Sequence, residues 1–211
     1  MSFDLQPGQT FVFIGDSITD CGRREDPQGL GDGYVRLIND YLLAKDPAKA
    51  PRVVNTGISG NKVTDLAARW KTDVLDHNPD LVSIKIGIND VWHSLGGQTG
   101  GVPIEKFVET YHVILRQLQG AVPKAKLVLC QPSVIEPPAP ADGNAVLQPY
   151  VRAVTELRRE FSAIAIVPLH NAFVNAKRLR PDVSWMPDGV HPTSAGHMLI
   201  ARTWLAETGL L

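Results

Sequence analysis

Phe11-Val12-Phe13-Ile14-Gly15-Asp16-Ser17-Ile18-Thr19-Asp20 is the stretch on which the reading of this chain turns. Its first half is an apolar run rich in Phe, Val and Ile, which predicts a buried strand. Its second half is a Gly-Asp-Ser turn leading into a polar, glycine-rich segment from Cys21 to Gly33. Gly, Asp and Ser form turns everywhere, so the residue types alone decide nothing. Position does more. In open α/β sheets ligands gather beyond the carboxyl ends of the strands, and Ser17 stands at the exit of the first one.

Working outward, strand and helix patterns alternate. Tyr34, Val35, Leu37, Ile38, Tyr41 and Leu42 recur at helical spacing, and Pro47 and Pro51 end that helix. Residues 52–56 read as a second strand, with Gly57-Ile58-Ser59-Gly60-Asn61 turning out of it. Leu66, Trp70, Val74 and Leu75 mark a second helix that stops at Asn78-Pro79. Residues 80–86 form a third strand closed by Gly87-Ile88-Asn89-Asp90. A loop with Gly96, Gly97, Gly100 and Gly101 precedes Pro103, which suits a first helical turn. The apolar stripe from Ile104 to Leu118 follows. Residues 126–130 are the fourth strand, and the proline-rich stretch from Pro132 to Pro140 is neither helix nor central strand. Helix is expected to resume near Pro149 and run to about Ser162, followed by a fifth strand at 164–167 and a short helix at 171–179. Thr193 reads as the N-cap of a last helix whose Met198, Leu199, Trp204 and Leu205 face the core.

This alternation predicts an α/β fold in three layers, α/β/α, around a five-stranded parallel sheet. The near-continuous apolar strands fit positions covered on both faces. The preferred strand order is 2-1-3-4-5, which puts the first and third strands at the topological switch point. No repeat or linker divides the chain, so residues 1–211 read as a single domain.

Composition narrows the function classes. The chain has 21 basic and 22 acidic side chains, a net charge of -1, and thus no broad basic field for nucleic acid or anionic membrane. Its two cysteines, Cys21 and Cys130, have no metal-like spacing and suggest no disulfide framework. Met1 to Thr10 shows no basic region followed by an apolar stretch, and no apolar run approaches membrane-spanning length. The expectation is a cytoplasmic protein with neither nucleic acid nor membrane among its partners.

Four points fall on one edge of the predicted sheet: Ser17, Gly57, Asn89, and the pair Asp188 and His191. Serine attack on a carbonyl needs a base for the hydroxyl proton, a group that fixes the resulting imidazolium, and donors aimed at the developing oxyanion. His191 is the candidate base. Asp188 precedes it by three residues in a loop held by Pro187, Gly189 and Pro192, so both side chains can point the same way. The backbone N–H groups of Ser17 and Gly57, with the side-chain amide of Asn89, are the candidate oxyanion donors; Gly57 lets backbone approach a ligand closely.

With these residues in place the sequence resembles the SGNH hydrolases, the GDSL esterase–lipase family. The serine block appears as Gly15-Asp16-Ser17-Ile18, with Ile in place of Leu. The glycine block matches Gly57, the third block is Gly87-Ile88-Asn89-Asp90, and the last is Asp188-Gly189-Val190-His191. The resemblance implies a Ser17–His191–Asp188 triad and an oxyanion hole from Ser17, Gly57 and Asn89. Within the family, the stretches Phe13 to Arg23, Gly57 to Asn61, Ile86 to Trp92 and Ala195 to Met198 are similar to bacterial intracellular acetyl-xylan and xylo-oligosaccharide esterases. That likeness implies an esterase acting on small acetylated carbohydrates through an acyl-enzyme, needing no metal or cofactor, with a homo-oligomer left open.

Trp92 and Trp185 are read as sugar platforms, with core packing as the equal competing reading of each. Asp16 and Tyr34, near the serine in sequence, complete the candidate substrate-binding set, and Arg23 lies close by with no assigned role. Asp90 is read as orienting backbone, and Asn89 as doubling as the cap of a helix from Val91. His197 is read as structural. The chain has no Gly-x-Ser-x-Gly elbow, dinucleotide fingerprint, Walker sequence or His-Glu-x-x-His motif. A lipid-directed esterase or thioesterase of the same family, and a carbohydrate-binding protein without turnover, are the competing functions.

Overall fold

The structure is a computed structural model and describes residues 3–95, 99–139 and 142–211. Five strands, β1 (Thr10–Gly15), β2 (Arg52–Asn55), β3 (Leu81–Lys85), β4 (Lys126–Cys130) and β5 (Ala165–Val167), form one sheet in the order β2-β1-β3-β4-β5. Every pairing is parallel, as the strand–helix alternation requires. The order expected from sequence is the one observed. β1 is apolar along its whole length because both its faces are covered, and all six of its residues are buried. Its register sets Phe13 opposite Asn55 of β2 and Gly15 opposite Lys85 of β3.

The helices are α1 (Ser17–Asp20), α2 (Tyr34–Lys45), α3 (Val63–Ala68), α4 (Trp70–Asp73), α5 (Ile88–Trp92), α6 (Ile104–Ala121), α7 (Gly143–Phe161), α8 (Leu169–Leu179) and α9 (Ser194–Thr208). α2, α8 and α9 pack together on one side of the sheet, and α3, α6 and α7 on the other. Beneath α9, Phe13 meets Tyr34 and Trp204 at ring-centroid distances of 6.1 and 5.3 Å. The Trp204 indole N–H, fully buried, donates to Ser83 Oγ at 3.0 Å, as a buried indole must find an acceptor. No helix among the described residues is long and apolar enough to cross a membrane.

Several expectations need correction. The second helix is not continuous: it breaks at Arg69 into α3 and α4 and ends in a 3₁₀ turn, Leu75–His77. α7 starts at Gly143, six residues before Pro149, which sits inside it. Pro149 has no N–H to give its helix, but Leu147, Tyr150 and Val154 around it are buried and the Tyr150 hydroxyl donates to the Val102 carbonyl at 2.6 Å. Packing thus outweighs the missing bond. In α9, Met198 is 52% exposed rather than core-facing. The buried face includes His197, Ile200, Ala201, Trp204 and Leu205, at steps of 3, 1, 3 and 1 that keep to one side of the helix and leave 198 on the solvent side. Thr193 caps this helix as expected, its Oγ1 accepting from Gly196 N–H at 3.4 Å. Gly96, Gly97 and Pro140 lie outside the described residues.

Candidate active site

The nucleophile loop is built from Gly15 outward. A Cβ at Gly15 would lie 2.3 Å from both the Lys85 carbonyl and Thr19 Oγ1, so no other residue closes this turn against β3. Asp16 is the N-cap of α1, its Oδ1 accepting from Ile18 N–H at 3.0 Å. Ser17 becomes the first helical residue, and its N–H takes no protein acceptor among the described residues, as expected of a first-turn amide. Asp16 is only 1% exposed and its Oδ1 lies 3.9 Å from Nζ of the fully buried Lys85. Burial pushes the Lys85 ammonium's pKa down and the Asp16 carboxylate pulls it back up.

Asp16 and Tyr34 therefore leave the substrate-binding set. Asp16 holds backbone from below. Tyr34 is completely buried, with its hydroxyl 3.0 Å from Thr19 Oγ1.

Asp188 to His191 is a self-contained turn. Asp188 Oδ1 accepts from the backbone N–H groups of Val190 at 3.0 Å and His191 at 2.8 Å. Its Oδ2 faces His191 Nδ1 at 2.5 Å, and His191 Nε2 faces Ser17 Oγ at 2.8 Å. Partial burial works to raise the Asp188 pKa, but these N–H donors and the imidazole outweigh it and hold the carboxyl below its ordinary range. Nδ1–H then donates to the carboxylate, which leaves the Nε2 lone pair for the serine proton. Gly189 adopts φ +93°, and a Cβ there would sit 2.1 Å from the Glu136 carbonyl. The turn is pinned to that loop by Glu136 N–H donating to Gly189 O at 2.9 Å.

The donor side departs from expectation. Gly57 is tightly placed, since a Cβ would lie 2.3 Å from Asp20 N. Its N–H, however, is donated to Asn55 Oδ1 at 2.9 Å, so it is not free to meet an oxyanion. The same Asn55 donates from Nδ2 to the carbonyls of Thr19 at 2.7 Å and Leu30 at 2.8 Å. Asn55 is the residue that sequence reasoning missed. An Asn two residues before a Gly is able to form an Asx-turn that takes up that glycine's N–H, but here the side chain is turned that way by its long-range bonds to Thr19 and Leu30, which the sequence does not show. The unengaged amide in this loop belongs to Gly60, which is exposed, has φ +81° and finds no acceptor among the described residues.

Asn89 lies in the first turn of α5 rather than capping it, because the helix begins at Ile88 after Gly87, whose φ is +128°. Its Nδ2 donates to the Asn61 carbonyl at 3.0 Å, which orients the amide and leaves its second hydrogen free. Asp90, beside it, is fully buried, with Oδ1 accepting from Val63 N–H at 3.0 Å. Burial is the largest cause raising its pKa to about 7, with the Val63 bond opposing. His197 accepts from Tyr34 N–H at Nδ1, 3.1 Å, and faces Cys21 Sγ from Nε2 at 3.5 Å. Burial, then Lys85, lowers its pKa to about 4, so it stays neutral and structural.

Trp92 and Trp185 are half-buried and packed against the core, and the Trp185 indole N–H donates to Arg180 O at 3.3 Å. Arg23 Nε donates to Gly57 O at 2.6 Å. A hollow of about 310 Å³ lined by Phe3, Gln9, Asp80 and Lys126 opens at the amino ends of the strands, the end opposite Ser17.

Residues 13–199 match the GDSL-like Lipase/Acylhydrolase family. The chain belongs to that family. The acetylxylan esterase of Geobacillus stearothermophilus is 40% identical over 215 residues, covering 96% of this chain and 94% of the relative. A solved structure of that bacterium's acetylxylan esterase Axe2 superposes with a TM-score of 0.87 at 36% identity, covering 98% of this chain and 97% of its own. Thioesterase 1/protease 1/lysophospholipase L1 of Escherichia coli K12 is 26% identical over 98% of this chain and 86% of its own. This GDSL hydrolase is a carboxylic ester hydrolase, and the Ser-His-Asp line is the geometry such chemistry needs.

Proposed function

We propose that the protein is a serine esterase that removes acetyl groups from carbohydrates, with acetylated xylo-oligosaccharides as its substrates. The observation that carries the reading is the continuous line from Ser17 Oγ through His191 to Asp188, at 2.8 and 2.5 Å. Ser17 Oγ attacks the acetyl carbonyl while His191 Nε2 takes its proton. The oxyanion is met by the Ser17 N–H, the free hydrogen of Asn89 Nδ2 and, in place of Gly57, the Gly60 N–H. His191 then protonates the departing sugar oxygen, leaving acetyl on Ser17. A water gives its proton to His191, attacks the acyl carbon, and acetate leaves as the serine is reprotonated. Asp188 holds the imidazole and its charge throughout.

The sugar assignment is supported by the 40% identical acetylxylan esterase. The half-exposed side chains of Asp188 and His191, at 54% and 52%, suit a polar substrate reached from solvent. The 26% identical thioesterase/lysophospholipase keeps a lipid-directed reading in play. A series of esters from acetyl to octanoyl separates the two. Each buried CH₂ contributes roughly 0.8 kcal/mol where room exists, whereas overfilling a packed pocket costs about 1–3 kcal/mol. The expected result is fastest turnover on acetyl esters, a steep fall by butyryl, and better kcat/KM on acetylated xylosides than on simple acetyl esters. Rates rising towards octanoyl would replace the carbohydrate reading with the lipid one, and no turnover on any ester would favour a binding protein.

A further inference from the structure

Arg69 is absorbed by no motif of the family match, yet it touches more of the site's framework than any residue so far described. It sits at the break between α3 and α4, and its side chain is 14% exposed. From there the guanidinium reaches two separate backbone carbonyls and the side chain of Asn61, in segments that must keep register for the reaction. Its Nη2 donates to the carbonyl of Gly15, two residues before the nucleophile, at 3.2 Å. Its Nη1 donates to the carbonyl of Thr56, at the mouth of the loop carrying Gly60, at 2.6 Å, and to Asp73 Oδ2 at 2.5 Å. Its Nε donates to Asn61 Oδ1 at 2.8 Å. The same Asn61 accepts the Asn89 amide on its backbone carbonyl.

We propose that Arg69 is a positioning residue that locks the nucleophile turn and the two oxyanion-donor segments into one rigid unit, acting through Gly15, Thr56 and Asn61 without touching substrate. The inference rests on the proposed esterase mechanism. Guanidinium chemistry explains the residue type. Only a planar fork with five fixed donors serves acceptors in several directions at once, whereas a lysine ammonium offers a compact charge on a flexible stem. Asp73 occupies one edge as counter-ion, so the buried charge is paired while the other edges stay on backbone and Asn61. Because these contacts place oxyanion donors rather than bind the sugar, their loss falls on the transition state. kcat drops and KM does not rise.

The test is Arg69→Lys and Arg69→Ala in the full chain, with kcat expressed per site labelled by a serine-directed organophosphate, so that unfolded molecules are not counted. A misplacement of about 1 Å costs on the order of 10²-fold in rate. Arg69→Ala is therefore expected to lose about 10²-fold in kcat and Arg69→Lys about 10-fold, each with KM within about twofold of wild type. A methylboronic acid, which mimics the tetrahedral intermediate, should weaken in parallel with kcat. Asn61→Ala should add little on top of Arg69→Ala, because both break one chain of contacts. Should Arg69→Ala not fold, Arg69→Lys carries the same comparison. A per-site kcat unchanged in Arg69→Lys, or a raised KM at constant kcat, overturns the proposal and leaves the esterase reading standing. A wild type inert on every ester overturns both.

Discussion

Ser17 follows a strand whose six residues are all buried, and beneath it Asp16 and Lys85 face each other at 1% and 0% exposure. Asp188 and His191, 171 and 174 residues further on, project from a surface turn with more than half of each side chain in solvent. The first half of the site is held by long-range contacts: Lys85 from β3, Asn55 from β2, Arg69 from the α3–α4 junction. The second is held mainly by itself, with one carboxylate gathering two N–H groups and an imidazole from within four residues. A nucleophile anchored through the core must be damaged by core substitutions. An acid–base pair held mainly by a local turn is damaged by changes in that turn and in the Glu136 loop it is pinned to.

The largest expected effect sharpens this contrast. On the proposed mechanism, Ser17→Ala should lower kcat by roughly 10⁶ and Asp188→Ala by roughly 10⁴, as removal of such groups does in a serine protease. Neither side chain supports the core, so thermal melting should stay within a few degrees of wild type. Steady-state kinetics and calorimetry on the same preparations check both statements. A large loss of stability in Asp188→Ala would show that the surface turn carries the fold as well.

Lys85 tests the buried half. Lys85→Met leaves Asp16 as a buried carboxylate without its counter-charge, and breaking such a pair costs about 3–5 kcal/mol. Lys85→Met with Asp16→Asn removes both charges, and an Asn oxygen still caps Ile18 N–H. The double variant should recover most of the stability in urea unfolding. Equal loss in the single and double variants would mean that Lys85 matters for its packing, not for its charge.

The smallest effect concerns Asp90 and depends on pH. Its carboxyl titrates near 3.8 when free and at about 7 in the fold, so the folded state favours the proton. Its contribution to stability is fully present below pH 3.8 and is lost as the pH rises through 7. Asp90→Asn, which keeps an acceptor for Val63 N–H, should melt close to wild type at pH 4 and above it at pH 8. The gain is at most about 4 kcal/mol. A melting difference independent of pH would show that Asp90 does not change its protonation in this range.

The sheet order was legible because its causes are local and repetitive: apolar runs of strand length, helical spacing between them, and glycine-rich turns at one end. The Asp188–His191 turn was legible for the same reason, since the bonds of the Asp188 carboxylate all fall within four consecutive residues. The boundaries of α7 and the outward turn of Met198 were not. Burial around Leu147 and Tyr150 overrides the rule against an interior proline, and the phase of α9 is set by what it packs on. Tyr34 and Asp16 were placed at the substrate by nearness in sequence, but chain neighbours of Ser17 point into the core as readily as out of it.

What the sequence by itself determined is the residue set for the proposed chemistry: a serine, a histidine and a carboxylate on loops that an alternating α/β pattern must bring to one edge of a sheet. What only the tertiary structure decided is which backbone groups remain free to serve it. Gly57 and Gly60 are three residues apart in one turn and carry the same N–H. Asn55 claims the first at 2.9 Å and none of the described residues claims the second. Hydrogen-bond capacity is consumed by whichever acceptor folds within reach, and the chain does not record that allocation until β1, β2 and β3 stand side by side.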